Sequence, residues 1–291
     1  MKKFFAIALS CLLVAGMFAG CGNSAAEETT VAAVETTAAA ETTAAAETTA
    51  AAAETTAATE AAETAEVSTI KDGVLIMATN AAFPPYEMVA DDGSIEGIDA
   101  EVAGAIAEKL GLELEIDDMD FDAALLAVQQ GKADIVMAGV SVTEDRLMVM
   151  NFSDTYATGI QSVIVKEGSD VTMDNLGEKM IGTQRGTTGY IYASGDYGED
   201  HVTAYDTGAS AVQALMNGQV DCVIIDNAPA QEFVAANPGL TMLDGAWVEE
   251  EYAIGLNKDN TGLQEAVNQA LAELIADGTV QSILDKYITA E

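Results

Sequence analysis

From residue 74 onward, short runs of consecutive apolar residues alternate with stretches whose apolar residues recur every three or four positions. The runs read as strands buried on both faces, and the spaced stretches read as helices. The strand over 74–79 comes first. Ile98, Val102, Ile106 and Leu110 then share one helical face, and Gly111 closes that helix. A strand over 112–116, a helix over 122–130 and a strand over 135–138 follow. Further strands are expected over 160–165, 180–183, 220–225 and 252–256. Helices are expected from about residue 190 and over 210–217, 229–236, 263–276 and 280–287. Between the first strand and the first helix, Pro84 and Pro85 exclude both helix and central strand. Residues 91–94, Asp-Asp-Gly-Ser, read as a hairpin-type turn. Such alternation predicts an α/β fold.

Two stretches are built alike. Residues 127–139 and 214–226 each read as a helix end, a stopping glycine, an acidic turn and an apolar strand, with four of thirteen aligned positions identical. They predict two α/β lobes of similar plan, although helix–glycine–strand is also common in α/β proteins generally. In such sheets ligands bind at the carboxyl ends of the strands. One end here is Gly139, leading into Ser141 and Arg146; the other is Asp226. A cation at one end and an anion at the other suit a small zwitterion. The chain changes character over 152–159, the first crossover between lobes, and returns over 252–256, so a hinge is expected.

Composition narrows the chemistry. With 48 acidic residues against 11 basic ones and a net charge of −37, the chain repels nucleic acid. Lys2 and Lys3 precede an apolar run to Phe18 that is too short for a membrane span and suits a signal peptide. Residues 21–66 repeat Glu-Thr-Thr-Ala-Ala-Ala with almost no large apolar side chain, so they form no core and read as a tether. Its roughly 45 residues span about 35–40 Å as a coil. Of three cysteines, Cys11 lies in the leader, Cys21 follows it, and Cys222 stands alone in an apolar strand, so no disulfide is expected. A single histidine, His201, leaves no material for a Ser-His-Asp or zinc site. Neither metal nor cofactor is expected.

Phe-Ala-Gly-Cys over 18–21 resembles the lipobox of bacterial lipoproteins, with Phe18 departing from the usual aliphatic residue. Ordinary cleavage after Ala19 or Gly20 is the alternative. Ala138-Gly-Val-Ser-Val-Thr-Glu-Asp-Arg146, Gln184-Arg-Gly-Thr-Thr-Gly189 and Val223-Ile-Ile-Asp226, with Phe83 and Phe121 upstream, resemble the family 3 bacterial extracellular solute-binding proteins. The resemblance covers 70–291 and implies two Rossmann-like lobes with a hinge of two crossovers, the type II periplasmic-binding-protein fold. Residues 67–157 plus 253–291 would form the first lobe and 158–252 the second, behind a leader over 1–20. It implies a non-enzymatic, monomeric receptor, anchored outside the cell membrane by lipid on Cys21, that delivers an amino acid to an ABC permease.

By the same resemblance, Arg146 clamps the ligand carboxylate with the N–H groups of Ser141 and Thr188. Asp226, the Ser141 hydroxyl and the Gly139 carbonyl take the ammonium. Phe83 and Phe121 pack on the side chain, with Asn80, Gln184 and Ile225 at its tip. The neutral amides Asn80 and Gln184 point to a neutral or polar ligand, unless Glu87 supplies a counter-charge. Each residue also has a structural reading: Arg146 in a first helical turn, Asp226 as a helix cap, the phenylalanines as core. Two rivals share the fold, a dehydratase for cyclohexadienyl acids and a sensor domain for a membrane partner.

Overall fold

The computed structural model describes residues 67–288. The leader, Cys21 and the tether lie outside them. Twelve strands are numbered in chain order: β1 (Val74–Thr79), β2 (Ala82–Phe83), β3 (Glu87–Val89), β4 (Ile95–Glu96), β5 (Glu113–Asp118), β6 (Ile135–Val136), β7 (Met150–Lys166), β8 (Ile181–Gln184), β9 (Val202–Tyr205), β10 (Cys222–Asp226), β11 (Leu240–Met242) and β12 (Val248–Asn257). The helices are α1 (Ile98–Leu110), α2 (Phe121–Gln129), α3 (Glu144–Val149), α4 (Thr188–Tyr197), α5 (Gly208–Met216), α6 (Asn227–Ala236), α7 (Thr261–Ala276) and α8 (Thr279–Tyr287).

Among the described residues one large sheet has the order β5-β1-β6-β12-β7-β10-β8-β9, with β11 also paired to β7. At one side β1 runs parallel to β5 and β6, and at the other β8 runs parallel to β9 and β10. Between these parallel halves lie β7 and β12, antiparallel to each other. Strand β7 has 17 residues, about 55 Å at the usual rise. It reaches from Met150 opposite Asn257 to Val165 opposite Cys222.

Burial on both faces explains the uninterrupted apolar runs. All six residues of β1 are buried. Leu75 and Met77 join the core beneath α1, α7 and α8, while Val74, Ile76 and Ala78 join the one beneath α2. Strand β10 divides the same way, Val223 and Ile225 to one face and Cys222 and Ile224 to the other. Cys222 is free and buried. Each such Val, Leu, Ile or Met side chain contributes roughly 1.5–3 kcal/mol.

Differences from the sequence reading have physical causes. The strand expected to begin at Ile160 instead begins at Met150 and continues through Gly159. A Cβ at Gly159 would lie 2.5 Å from Tyr252 Cζ, so the glycine makes room for a ring without ending the strand. The hairpin turn at 91–94 does join β3 to β4, within a separate small sheet in which β2 pairs with β3. The helix after β10 begins at Asn227 rather than Pro229, with Asp226 as its cap.

Gly97, which caps α1, has φ 130° and ψ −179°, a region essentially confined to glycine. A Cβ there would lie 2.3 Å from the Tyr86 carbonyl oxygen. Gly97→Ala is expected to destabilise the protein by about 3 kcal/mol or more; a urea midpoint within error of wild type would refute this.

Candidate functional site

The parallel strands of both halves end at one opening. Asn80 follows β1, Gly139 lies three residues past β6, and Gln184 and Asp226 close β8 and β10. All ten residues given a ligand role from the sequence, Asn80, Phe83, Phe121, Gly139, Ser141, Arg146, Gln184, Thr188, Ile225 and Asp226, line one pocket. Glu87, Gln161 and Tyr252 line it too.

Arg146 reaches the pocket because Thr143 caps α3, its hydroxyl accepting the Arg146 N–H at 3.3 Å. The guanidinium is buried and donates to the Ser141 carbonyl at 2.8 Å and the Gly186 carbonyl at 3.2 Å. It also lies 5.5 Å from the centroid of the Phe121 ring, a cation–π contact. Burial lowers its pKa, and Glu250 opposes that shift. Glu250 accepts from the Thr188 hydroxyl at 2.8 Å and the Gln161 amide at 3.0 Å. Thr188 is the first residue of α4, where backbone N–H groups lack partners within the helix. Arg146 and Thr188 therefore offer anion donors, with Gly186 one residue before the Thr187 cap.

The anionic end is more deeply enclosed. Asp226 accepts from the Tyr252 hydroxyl and from the Ala228 N–H at 3.4 Å. Burial pushes its carboxyl up to about 7 against these donors. Asp99, in the first turn of α1, accepts the Gly139 N–H at 2.9 Å and the Tyr156 hydroxyl at 2.6 Å; burial pushes it up to about 6. Glu87 is fully buried; as a carboxylate it finds no donor among the described residues, and as a protonated acid it donates to Asp99 beside it. Burial, with Asp99 beside it, raises Glu87 well above its ordinary range. At the opposite wall the Gln184 amide donates to Asn80 Oδ1 at 2.9 Å, and the Asn80 amide donates to the Met119 carbonyl at 2.9 Å.

Glu87 was weighed from the sequence only as a spare counter-charge, while Asp99, Tyr156, Tyr252 and Glu250 carried no signal there. Asp99 lay unremarked near the start of the helix begun at Ile98, Tyr156 lay in the crossover over 152–159 and Tyr252 opened the returning run over 252–256. Their part in the site comes from contacts between distant segments.

The model of the bacterial extracellular solute-binding proteins, family 3, matches residues 75–290. The chain belongs to that family. Its members act outside the cytoplasm, and their name describes solute binding rather than catalysis. The chain is 29% identical over 235 residues to the L-cystine-binding protein TcyJ of Escherichia coli (strain K12), covering 79% of this chain and 88% of that protein. It is 31% identical over 227 residues to the arginine-binding extracellular protein ArtP of Bacillus subtilis (strain 168), covering 75% and 87%. Among solved structures, an ancestral arginine-binding protein bound to glutamine matches with a TM-score of 0.72 and 36% identity, over 76% of this chain and all of that one. The two parallel half-sheets joined by crossing strands are the type II periplasmic-binding fold of this family.

A family receptor with a carboxyl titrating near 7 has a specific pH response. The folded chain raises Asp226 to about 7 from an ordinary value of 3.8, so folding favours the protonated form. The stability this group contributes is fully present below about pH 4 and lost as pH rises through about 7. Without ligand, the stability advantage of Asp226→Asn over wild type should therefore grow between about pH 4 and pH 8 in urea titrations. A difference independent of pH would refute the raised titration.

Proposed function

We propose that this chain is a receptor that captures a free amino acid between two lobes and hands it to an ABC importer. The observation that carries this reading is that one pocket is lined by both the Arg146 guanidinium and the Asp226 carboxylate. The ligand carboxylate pairs with Arg146, whose planar fork matches it in two-point contact, and with the N–H groups of Ser141 and Thr188. Its ammonium sits against Asp226, the Ser141 hydroxyl and the Gly139 carbonyl. Phe83 and Phe121 sandwich the side chain.

The lobes comprise 67–157 plus 253–291 and 158–252, and the molecule works as a monomer. Ligand bridging the two charged ends favours the closed arrangement, because only that arrangement satisfies both charges. The side-chain end presents two neutral amides, Asn80 and Gln184, whose oxygens accept hydrogen bonds. An acceptor of that kind suits a polar side chain that ends in hydrogen-bond donors. L-Cystine and arginine, named for two relatives, both carry nitrogen donors beyond the α-ammonium. The lipobox-like segment supports a lipid anchor on Cys21, with residues 22–66 as the tether; these residues lie outside those described.

A thermal-shift panel of the common amino acids tests the receptor reading, since a ligand that binds only the folded chain raises its melting temperature. We expect a rise with a polar, donor-bearing amino acid, and no shift with any amino acid would overturn the reading. In calorimetry with that ligand, Arg146→Ala should cost about 3–5 kcal/mol, two to four decades in Kd. An unchanged Kd would remove Arg146 from the clamp. In cells, Cys21→Ser should move the protein from the membrane fraction to the soluble one. Unchanged membrane retention would refute the anchor.

A further inference from the structure

Each of the two strands that cross between the sheet halves carries a buried tyrosine ending on a buried carboxylate. On β7 the Tyr156 hydroxyl donates to Asp99 at 2.6 Å, and on β12 the Tyr252 hydroxyl donates to Asp226. The strands are adjacent here, Tyr252 standing opposite Ala157. Both carboxylates lead directly to the proposed ammonium position. Asp226 lines the pocket, while the other oxygen of Asp99 holds the Gly139 N–H at 2.9 Å and so fixes the Gly139 carbonyl.

Tyr252 is anchored with unusual closeness. A Cβ at Gly159 would lie 2.5 Å from its ring, one at Gly139 would lie 3.3 Å from it, and its backbone bridges to Ser141. The ring stands edge-on to Tyr86 at 5.2 Å between centroids. A phenylalanine would fill the same volume, so the hydroxyl is what the carboxylate requires.

We propose that Tyr252 and Tyr156 are positioning residues for ligand capture: Tyr252 holds the Asp226 carboxylate at the ammonium site, and Tyr156 holds the Asp99 carboxylate that fixes Gly139 beside it. This rests on the reading that the pocket takes an α-amino acid. The groups facing Asp226 are Tyr252 and Glu250 on β12, Tyr86 from the loop before β3, and the N–H groups of Ala228 and Ile160. Those facing Asp99 are Tyr156, Glu87, Tyr86 and the Gly139 N–H. No ammonium or guanidinium stands among them. A carboxylate in such surroundings takes up a proton unless donors hold its charged form; the crossing strands supply a phenol to each, and the Glu87 carboxyl on β3 adds a second side-chain donor for Asp99. The charge offered to a ligand is therefore tied to where those strands lie. Each phenol belongs to the same proposed lobe as its carboxylate, Tyr156 with Asp99 and Tyr252 with Asp226, so each pair stays intact as the hinge moves.

The test uses full-length wild type, Tyr252→Phe and Tyr156→Phe. First, carboxyl carbon NMR follows Asp226 and Asp99 through a pH titration without ligand. Tyr252→Phe should raise the Asp226 midpoint by about one unit, and Tyr156→Phe should do the same for Asp99. Second, calorimetry with L-arginine, L-histidine and L-cystine as probes is run at about pH 7 and about pH 8.5. For a probe that binds wild type, Tyr252→Phe should weaken affinity about fivefold at pH 7 and less than twofold at pH 8.5, as a one-unit shift from about 7 requires. Unmoved midpoints, or an affinity loss equal at both pH values, would overturn the proposal and leave the tyrosines as packing alone. If no probe binds wild type, the ligand class named above is at fault and the NMR arm still decides the tyrosines. If Tyr252→Phe does not fold, the Asp99 midpoint in Tyr156→Phe decides.

Discussion

The cost of holding carboxylates away from water organises this molecule around its pocket. Glu87, Asp99 and Asp226 are buried within one small region, where an isolated charge would be expensive. Asp99 and Asp226 are met by phenols and backbone N–H groups, and Glu87, its carboxyl raised well above the ordinary range by burial, sits against Asp99. Such a region has a standing demand for a cation. An amino acid's ammonium supplies one, provided its carboxylate finds Arg146 at the other end.

Arg146 presents the same problem with the sign reversed. Its guanidinium is buried and bonded to two carbonyls, those of Ser141 and Gly186, with no carboxylate among the described residues in direct contact. Two carbonyls orient the fork without neutralising it. Glu250 stands close enough to oppose the loss of charge, yet its own bonds go to Gln161 and Thr188. The proposed bridge of a zwitterion between Arg146 and Asp226 relieves both imbalances at once, which gives the ligand differential affinity for one arrangement of the lobes.

The crossing strands connect that electrostatic demand to the fold. They share the centre of the sheet, and from them Gln161, Glu250, Tyr156 and Tyr252 all reach the pocket or its supporting shell. Small residues admit this crowding. Gly159 and Gly139 accept the Tyr252 ring, and Gly186 comes so close to Asp122 that a Cβ there would lie 1.7 Å from its carboxyl oxygen.

Local pattern was sufficient for most elements. Strand β1 and helix α1 fall on the expected residues, because a run buried on both faces and a repeat every three to four positions each admit one conformation. The ten residues assigned to the ligand came to line one pocket because strand ends and helix starts converge there in α/β sheets. Short edges such as β9 and β11 escaped notice, since a few half-buried residues carry little periodicity. What the amino-acid order determined alone was therefore the alternation of elements and the charges at their ends. Only the tertiary structure decided that Asp99 is buried, that Tyr156 and Tyr252 reach carboxylates 57 and 26 residues away, and that Glu87 is packed against Asp99. A carboxyl's protonation depends on which distant groups exclude water from it, and no local window of sequence contains that information.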